Sequence, residues 1–170
     1  MKPIMLITLC VLWFTYSCTK KDSGNPIFPQ STDLDYGYFS DWFLTDKSGT
    51  HEHGAKSVTT QTDGYFSCAQ DTSLQVFFAG SLPPALGKYR IVSEAKAANH
   101  TLGKNEVAFE CNIGLNDVYL SLDGNDSASI IVTDKGYRKL SIPKTIVIHV
   151  NNGQGLDTAS VDGSISFPDH

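Results

Sequence analysis

The chain has 170 residues, 41% hydrophobic and 11% aromatic, which is enough for one domain with a proper core. Its formal net charge is -5, and Arg is scarce, with Arg90 and Arg138 alone. The lack of a basic stripe sets nucleic acid aside as a partner, and the aromatic and β-branched content sets broad disorder aside.

The chain opens Met1-Lys2-Pro3 and then runs apolar from Ile4 to Phe14, interrupted by Thr8. As a helix that run reaches about 17 Å, against roughly 30 Å of bilayer hydrocarbon, so it is too short to span. It has the form of a secretory leader over residues 1–17. Thr15 and Ser17 follow, and then Cys18; on the residues alone, ordinary cleavage that leaves Cys18 a plain thiol also fits. The stretch "TKKDSGNPIFPQSTD" after it is polar, and residues 18–34 read as a flexible tether.

Thr15-Tyr16-Ser17-Cys18 resembles the lipobox of bacterial lipoproteins, and endings in Ser-Cys are frequent among those of the Bacteroidota. The resemblance implies that Cys18 becomes the first residue of the mature chain and carries a diacylglyceryl group and an N-acyl chain. Several acyl chains hold a bilayer stably where one does so only marginally. Surface-exported lipoproteins of that phylum tend to place acids directly after the cysteine. Here Lys20 and Lys21 come before Asp22. The expected location is therefore the cell envelope, lipid-anchored and facing the periplasm.

Residues 35–170 read as one all-β domain. The first strand is expected over 36–44, within "DYGYFSDWF". Tyr36, Tyr38 and Trp42 share one parity, Phe39 and Phe43 the other. One set packs a core, and Tyr36, Tyr38 and Trp42 are the candidates for stacking on a sugar face, with Asp35 and Asp41 as acceptors for hydroxyls. In "THEHGAK", His51 and His53 flank Glu52 and project to one side if extended, so the two imidazoles are candidate ligands for a transition metal. A third and fourth ligand must come from elsewhere. The spacing is not His-Glu-x-x-His, and an exposed polar loop is the competing reading.

Further strands are expected over 58–62, 65–69, 74–80, 89–94 and 129–133. Only "SEAKAANHTLG" has a helical cast, and it is short and poorly patterned. In "NEVAFECNI", Val107, Phe109, Cys111 and Ile113 share a face, which is a strand with a buried side. "DVYLSLD" sets Val118, Leu120 and Leu122 against Tyr119 and Ser121. "KTIVIHV" sets Ile146, Ile148 and Val150 against Val147 and His149, and "SVDGSISF" sets Val161, Ile165 and Phe167 against Asp162, Ser164 and Ser166. In "GYFSCAQ", Cys68 shares its face with Phe66. Cys68 and Cys111 are thus both expected to point inward, and in an oxidising compartment they are disulfide candidates. Such a bridge would close a loop of roughly 43 residues, worth about 4 kcal/mol on the chain-entropy model. Two separate buried thiols are the alternative. "LDGNDSAS" gathers Asp123, Asn125 and Asp126 in an oxygen-rich turn that lacks the distal Glu of a calcium loop, so it reads as hairpin chemistry.

Short alternating strands punctuated by turns point to an antiparallel β-sandwich, Ig-like or related, with a β-barrel as the alternative. Phe77-Phe78, Pro83-Pro84, Gly87-Lys88-Tyr89-Arg90-Ile91, the strands from Val107 to Val150 and the closing Asp162-Gly163-Ser164-Ile165-Ser166-Phe167 resemble a loose group of small Bacteroidota envelope lipoproteins. That group has no established activity, so the resemblance implies a fold and a location only. Gly-x-Ser-x-Gly, a Gly-rich phosphate loop and a Cys/His pairing with local context are absent from the sequence. The expected function is a lipid-anchored, non-enzymatic envelope module without a cofactor, meeting the membrane through its lipid and a glycan or protein through its loops or a sheet face. The alternatives are a carbohydrate-active or metal-dependent enzyme whose site forms only in space, and a structural envelope protein with no small ligand.

Overall fold

The computed structural model describes residues 39–151 and 154–168. The leader, Cys18, the tether, Tyr36 and Tyr38 lie outside the described residues.

In chain order the elements are β1 (Phe39–Asp46), β2 (Gly49–Ala55), β3 (Val58–Thr60), β4 (Gly64–Ala69), β5 (Thr72–Phe78), β6 (Gly87–Ile91), α1 (Glu94–Ala98), β7 (Glu106–Ile113), β8 (Asp117–Ser121), β9 (Ser127–Val132), β10 (Tyr137–Asn151) and β11 (Gln154–Pro168). The all-β expectation holds. The strands form a single sheet ordered β2-β1-β11-β10-β9-β6-β7-β5-β4-β3, with β8 joining β10 to β7. β8 bridges one end of β10 and β7, and β9 with β6 bridges the other. The sheet therefore closes through its middle into a ring of five strands, β7, β8, β10, β9 and β6.

One pair departs from the antiparallel expectation. β6 and β7 run parallel through Arg90↔Glu106 and Ile91↔Val107. Parallel neighbours need a crossover, and residues 92–105, with α1 inside them, provide it. The helix is too short to stand alone. Its Ala97 packs with Val92 and Ala108 in a small cluster on the outside of the ring, with Phe77 and Leu102 against it.

From the ring, β11, β1 and β2 continue on one side and β5, β4 and β3 on the other. These two wings meet. Tyr65 of β4 stacks on Phe167 of β11, ring centroids 4.1 Å apart. Ser40 Oγ of β1 lies 2.5 Å from Ser67 Oγ of β4, a buried hydrogen bond. One continuous core results, with Trp42, Phe109, Phe167, Leu74 and Ile165 at 1% exposure or less.

Period-2 alternation delivers β7 as expected, with Val107, Phe109 and Cys111 buried. In β10 the faces are exchanged: Val147 is buried and Ile146 is 63% exposed. The cause is a bulge. Ile142 pairs with Gly163 and Thr145 with Val161, so three steps on β10 meet two on β11. The extra residue moves the core from even to odd positions, from Leu140 and Ile142 to Thr145 and Val147. In β8, Tyr119 and Ser121 are the buried set.

Cys68 and Cys111 do not form the expected disulfide. Cys68 pairs with Ser73, whereas Cys111 pairs with Leu74. The cysteines therefore stand on opposite faces of the sheet, with β5 between their strands. Two strand spacings of about 4.8 Å already exceed the roughly 7 Å that a bridge tolerates between Cα atoms. In β4 the inward parity belongs to Tyr65 and Ser67, the reverse of the Phe66–Cys68 assignment.

Candidate functional site

The hairpin of β1 and β2 builds one wall of a sizeable concavity. β1 pairs with β2 in the register Ser40↔Ala55, Asp41↔Gly54 and Trp42↔His53. Even positions of β1 (Ser40, Trp42, Leu44) are buried, so Phe39 and Asp41 are turned the other way. Between this edge and the turn of residues 69–72 lies an open cleft of about 750 Å³. Phe39 supplies a half-buried ring to its wall. Asp41, Glu52 and Asp71 bring carboxylates, Gln70 an amide, Thr72 a hydroxyl and Lys56 a cation. The floor is fixed: Ala55 N donates to Ser40 Oγ at 3.2 Å, and that same hydroxyl bonds Ser67 on β4. Chemically the cleft offers acceptors, donors and one apolar ring face within a single hollow, and among the described residues that line it none is set as a nucleophile beside a base.

The sequence candidates fall unevenly on this site. Trp42 is 1% exposed and cannot offer its ring to a sugar. Its parity is the core parity, and the His53 ring covers it at a centroid distance of 4.5 Å, tilted by 32°. Of the aromatic stretch, Phe39 and Asp41 reach the cleft instead.

His51 and His53 do project to one side as expected, but from a strand and not a loop. His51 Nε2 lies 2.8 Å from Ser48 Oγ and 3.9 Å from Asp46 Oδ1. The Ser48 hydroxyl, also bonded to Asp46, is the main cause that holds the Asp46 carboxyl below its ordinary range. His53 lines the cleft, yet its Nε2 is buried and has no hydrogen-bond partner among the described residues. Burial, followed by the nearby His51, lowers the His53 pKa, so the ring favours its neutral form. No three His, Cys, Asp or Glu side chains converge as a metal site among the described residues.

A second polar cluster, which sequence spacing did not show, sits where β8, β10 and β11 lie side by side. Register places Tyr119, His149 and Asp157 in one row. The Tyr119 and His149 rings stack at 4.4 Å and 9°, and His149 Nε2 lies 2.8 Å from Asp117 Oδ1. Lys47 Nζ reaches Asp157 Oδ2 at 2.6 Å, and that bond is the main cause lowering the Asp157 pKa. Burial, then Asp46, Asp117 and Asp157, raises the phenol of Tyr119. The His149 imidazole is held by a carboxylate and covered by a ring, a rigid arrangement with no nucleophile against it. Asp123, of the oxygen-rich turn, accepts from Ser93 N at 3.4 Å and lies 3.9 Å from Lys96. That is turn chemistry.

Comparison with models of known families, with curated proteins and with solved structures returns no match.

Proposed function

We propose that the protein is a lipid-anchored, non-enzymatic module of the bacterial cell envelope that binds a glycan in the cleft between β1, β2 and the β4–β5 turn. In this reading Cys18 carries the lipid, the tether spaces the body from the bilayer facing the periplasm, and the body is a sandwich of two wings built on a barrel-like ring. The cleft itself carries the argument. A hollow of about 750 Å³ is of ligand size. Its carboxylates and amide suit vicinal hydroxyls, and the Phe39 ring suits the apolar face of a pyranose. The lipobox resemblance and the leader support the anchoring.

A glycan array probed with the chain from residue 18 onward, carrying Cys18→Ala, tests the binding. The expected result is a defined oligosaccharide whose affinity, measured by calorimetry, falls about tenfold in Phe39→Ala and in Asp41→Asn, as losing a stacked ring or a hydrogen bond of ~1.4 kcal/mol requires. An array with no bound glycan, or affinities indifferent to both substitutions, ends the reading. The anchor is tested separately: the N-terminal peptide of the native protein should carry the mass of three acyl chains on Cys18.

A further inference from the structure

Strands β1, β11, β10, β9 and β6 lie side by side, and the end of that stretch where β1 begins differs in chemistry from the rest. On the face turned away from the core the register runs Phe39↔Ser166↔Lys139↔Ile131, with Ser166 buried between half-buried Phe39 and Lys139. Ile131 is 55% exposed. Its neighbour Ile130 pairs with Gly87, which brings Leu86, 53% exposed, alongside. Val132, the next residue of β9, points to the other face of the sheet and is not part of this pair. Exposed aliphatic side chains that adjoin mark a contact surface, whereas scattered single ones do not.

The charge around them is reversed relative to the whole chain, in which 18 acids outnumber 13 bases. Residues 82–90 and 130–139 contain Lys88, Arg90, Lys135, Arg138 and Lys139 against the single acid Asp134. Arg90 is engaged with Glu106, and Arg138 donates to the Pro84 carbonyl. Lys88 is exposed, and Lys139 flanks Ile131 directly.

We propose that this end of the molecule rests on an anionic lipid surface, with Leu86 and Ile131 entering the headgroup layer and Lys88 and Lys139 meeting phosphates. Aliphatic side chains ringed by lysines are what such a surface binds. The point of chain entry agrees. Residues 18–38 join the fold at Phe39, in the same register row and three strand spacings, about 14 Å, from Ile131. The inference goes beyond glycan binding and needs neither the cleft nor the acyl anchor.

The test is co-sedimentation of the chain from residue 18 onward, with Cys18→Ala, with vesicles of phosphatidylcholine alone or mixed with phosphatidylglycerol. Binding is expected to the mixed vesicles only and to weaken with salt. Lys88→Gln and Lys139→Gln should each lower the partition coefficient about fivefold. Ile131→Asp should abolish binding while the circular dichroism spectrum stays unchanged. Equal sedimentation with both vesicles, none with either, or anionic binding that the double lysine substitution leaves intact would overturn the proposal.

Discussion

At the scale of single residues, the buried polar groups carry the most legible energetics. Ser121 is 1% exposed and closes two backbone valences: its hydroxyl accepts from Phe109 N at 3.0 Å and donates to the Val92 carbonyl at 2.7 Å. Ser121→Ala leaves both groups buried and unpaired, so urea denaturation should show a loss of about 1–3 kcal/mol. Glu106 gives a pH signature. The Gly103 N–H, then Arg90 and Lys96, hold its carboxyl at about 2. A carboxyl lowered on folding stabilises above its unfolded value and loses that contribution as the folded value is approached. Stability should therefore fall between about pH 4.5 and pH 2. Glu106→Gln should flatten that limb, read as urea midpoints against pH. The sequence marked none of these roles, because a serine in a strand and a glutamate opening one look alike whether or not they bridge distant backbone. It did mark His51 and His53 as sharing a side, since that follows from spacing alone. It could not show that Trp42 lies beneath His53, which depends on which parity of β1 the other wing covers.

Among the elements, strands with one buried face were readable wherever alternation ran uninterrupted. β4, β5, β6, β7 and β9 fall within a few residues of expectation. β2 was missed because its Gly-Thr-His-Glu-His-Gly run has no apolar side to bury; it is an edge strand whose partner β1 supplies the order. β10 was half read. Its bulge at residues 143–144 places Pro143, which cannot donate, where the ladder is interrupted, and it exchanges the faces beyond. Opposite that bulge Gly163 has φ +153°, and a Cβ there would stand 2.4 Å from the Asp41 carbonyl oxygen and 2.5 Å from Trp42 Cα. Gly163→Ala must therefore push β1 off β11. The expected cost is about 3 kcal/mol or more in thermal or urea unfolding, with the soluble yield as a second readout.

For the molecule as a whole, one core cluster runs from Trp42 through Phe109 to Phe167, joining both wings to the ring. A single cooperative unit is expected. Trp42 is the one tryptophan among the described residues, so its fluorescence in the chain from residue 18 onward and the far-ultraviolet dichroism should give one shared urea midpoint. Two separated midpoints would mean that the wings unfold independently. The all-β class was legible from composition and alternation. The ring was not, because the pairings that shut it, β6 with β7 and β8 with β10, are set by which strands meet in space and leave no local trace. That closure also governs how copies behave towards one another. Among the described residues, a sheet rejoined through its own middle leaves two margins for annexing a foreign strand, β2 and β3. β3 offers three residues of backbone, and β2 is short and bears the charge of Glu52. Neighbouring molecules at high density thus find little to zip onto, and fibrous stacking is discouraged by topology before any surface charge acts.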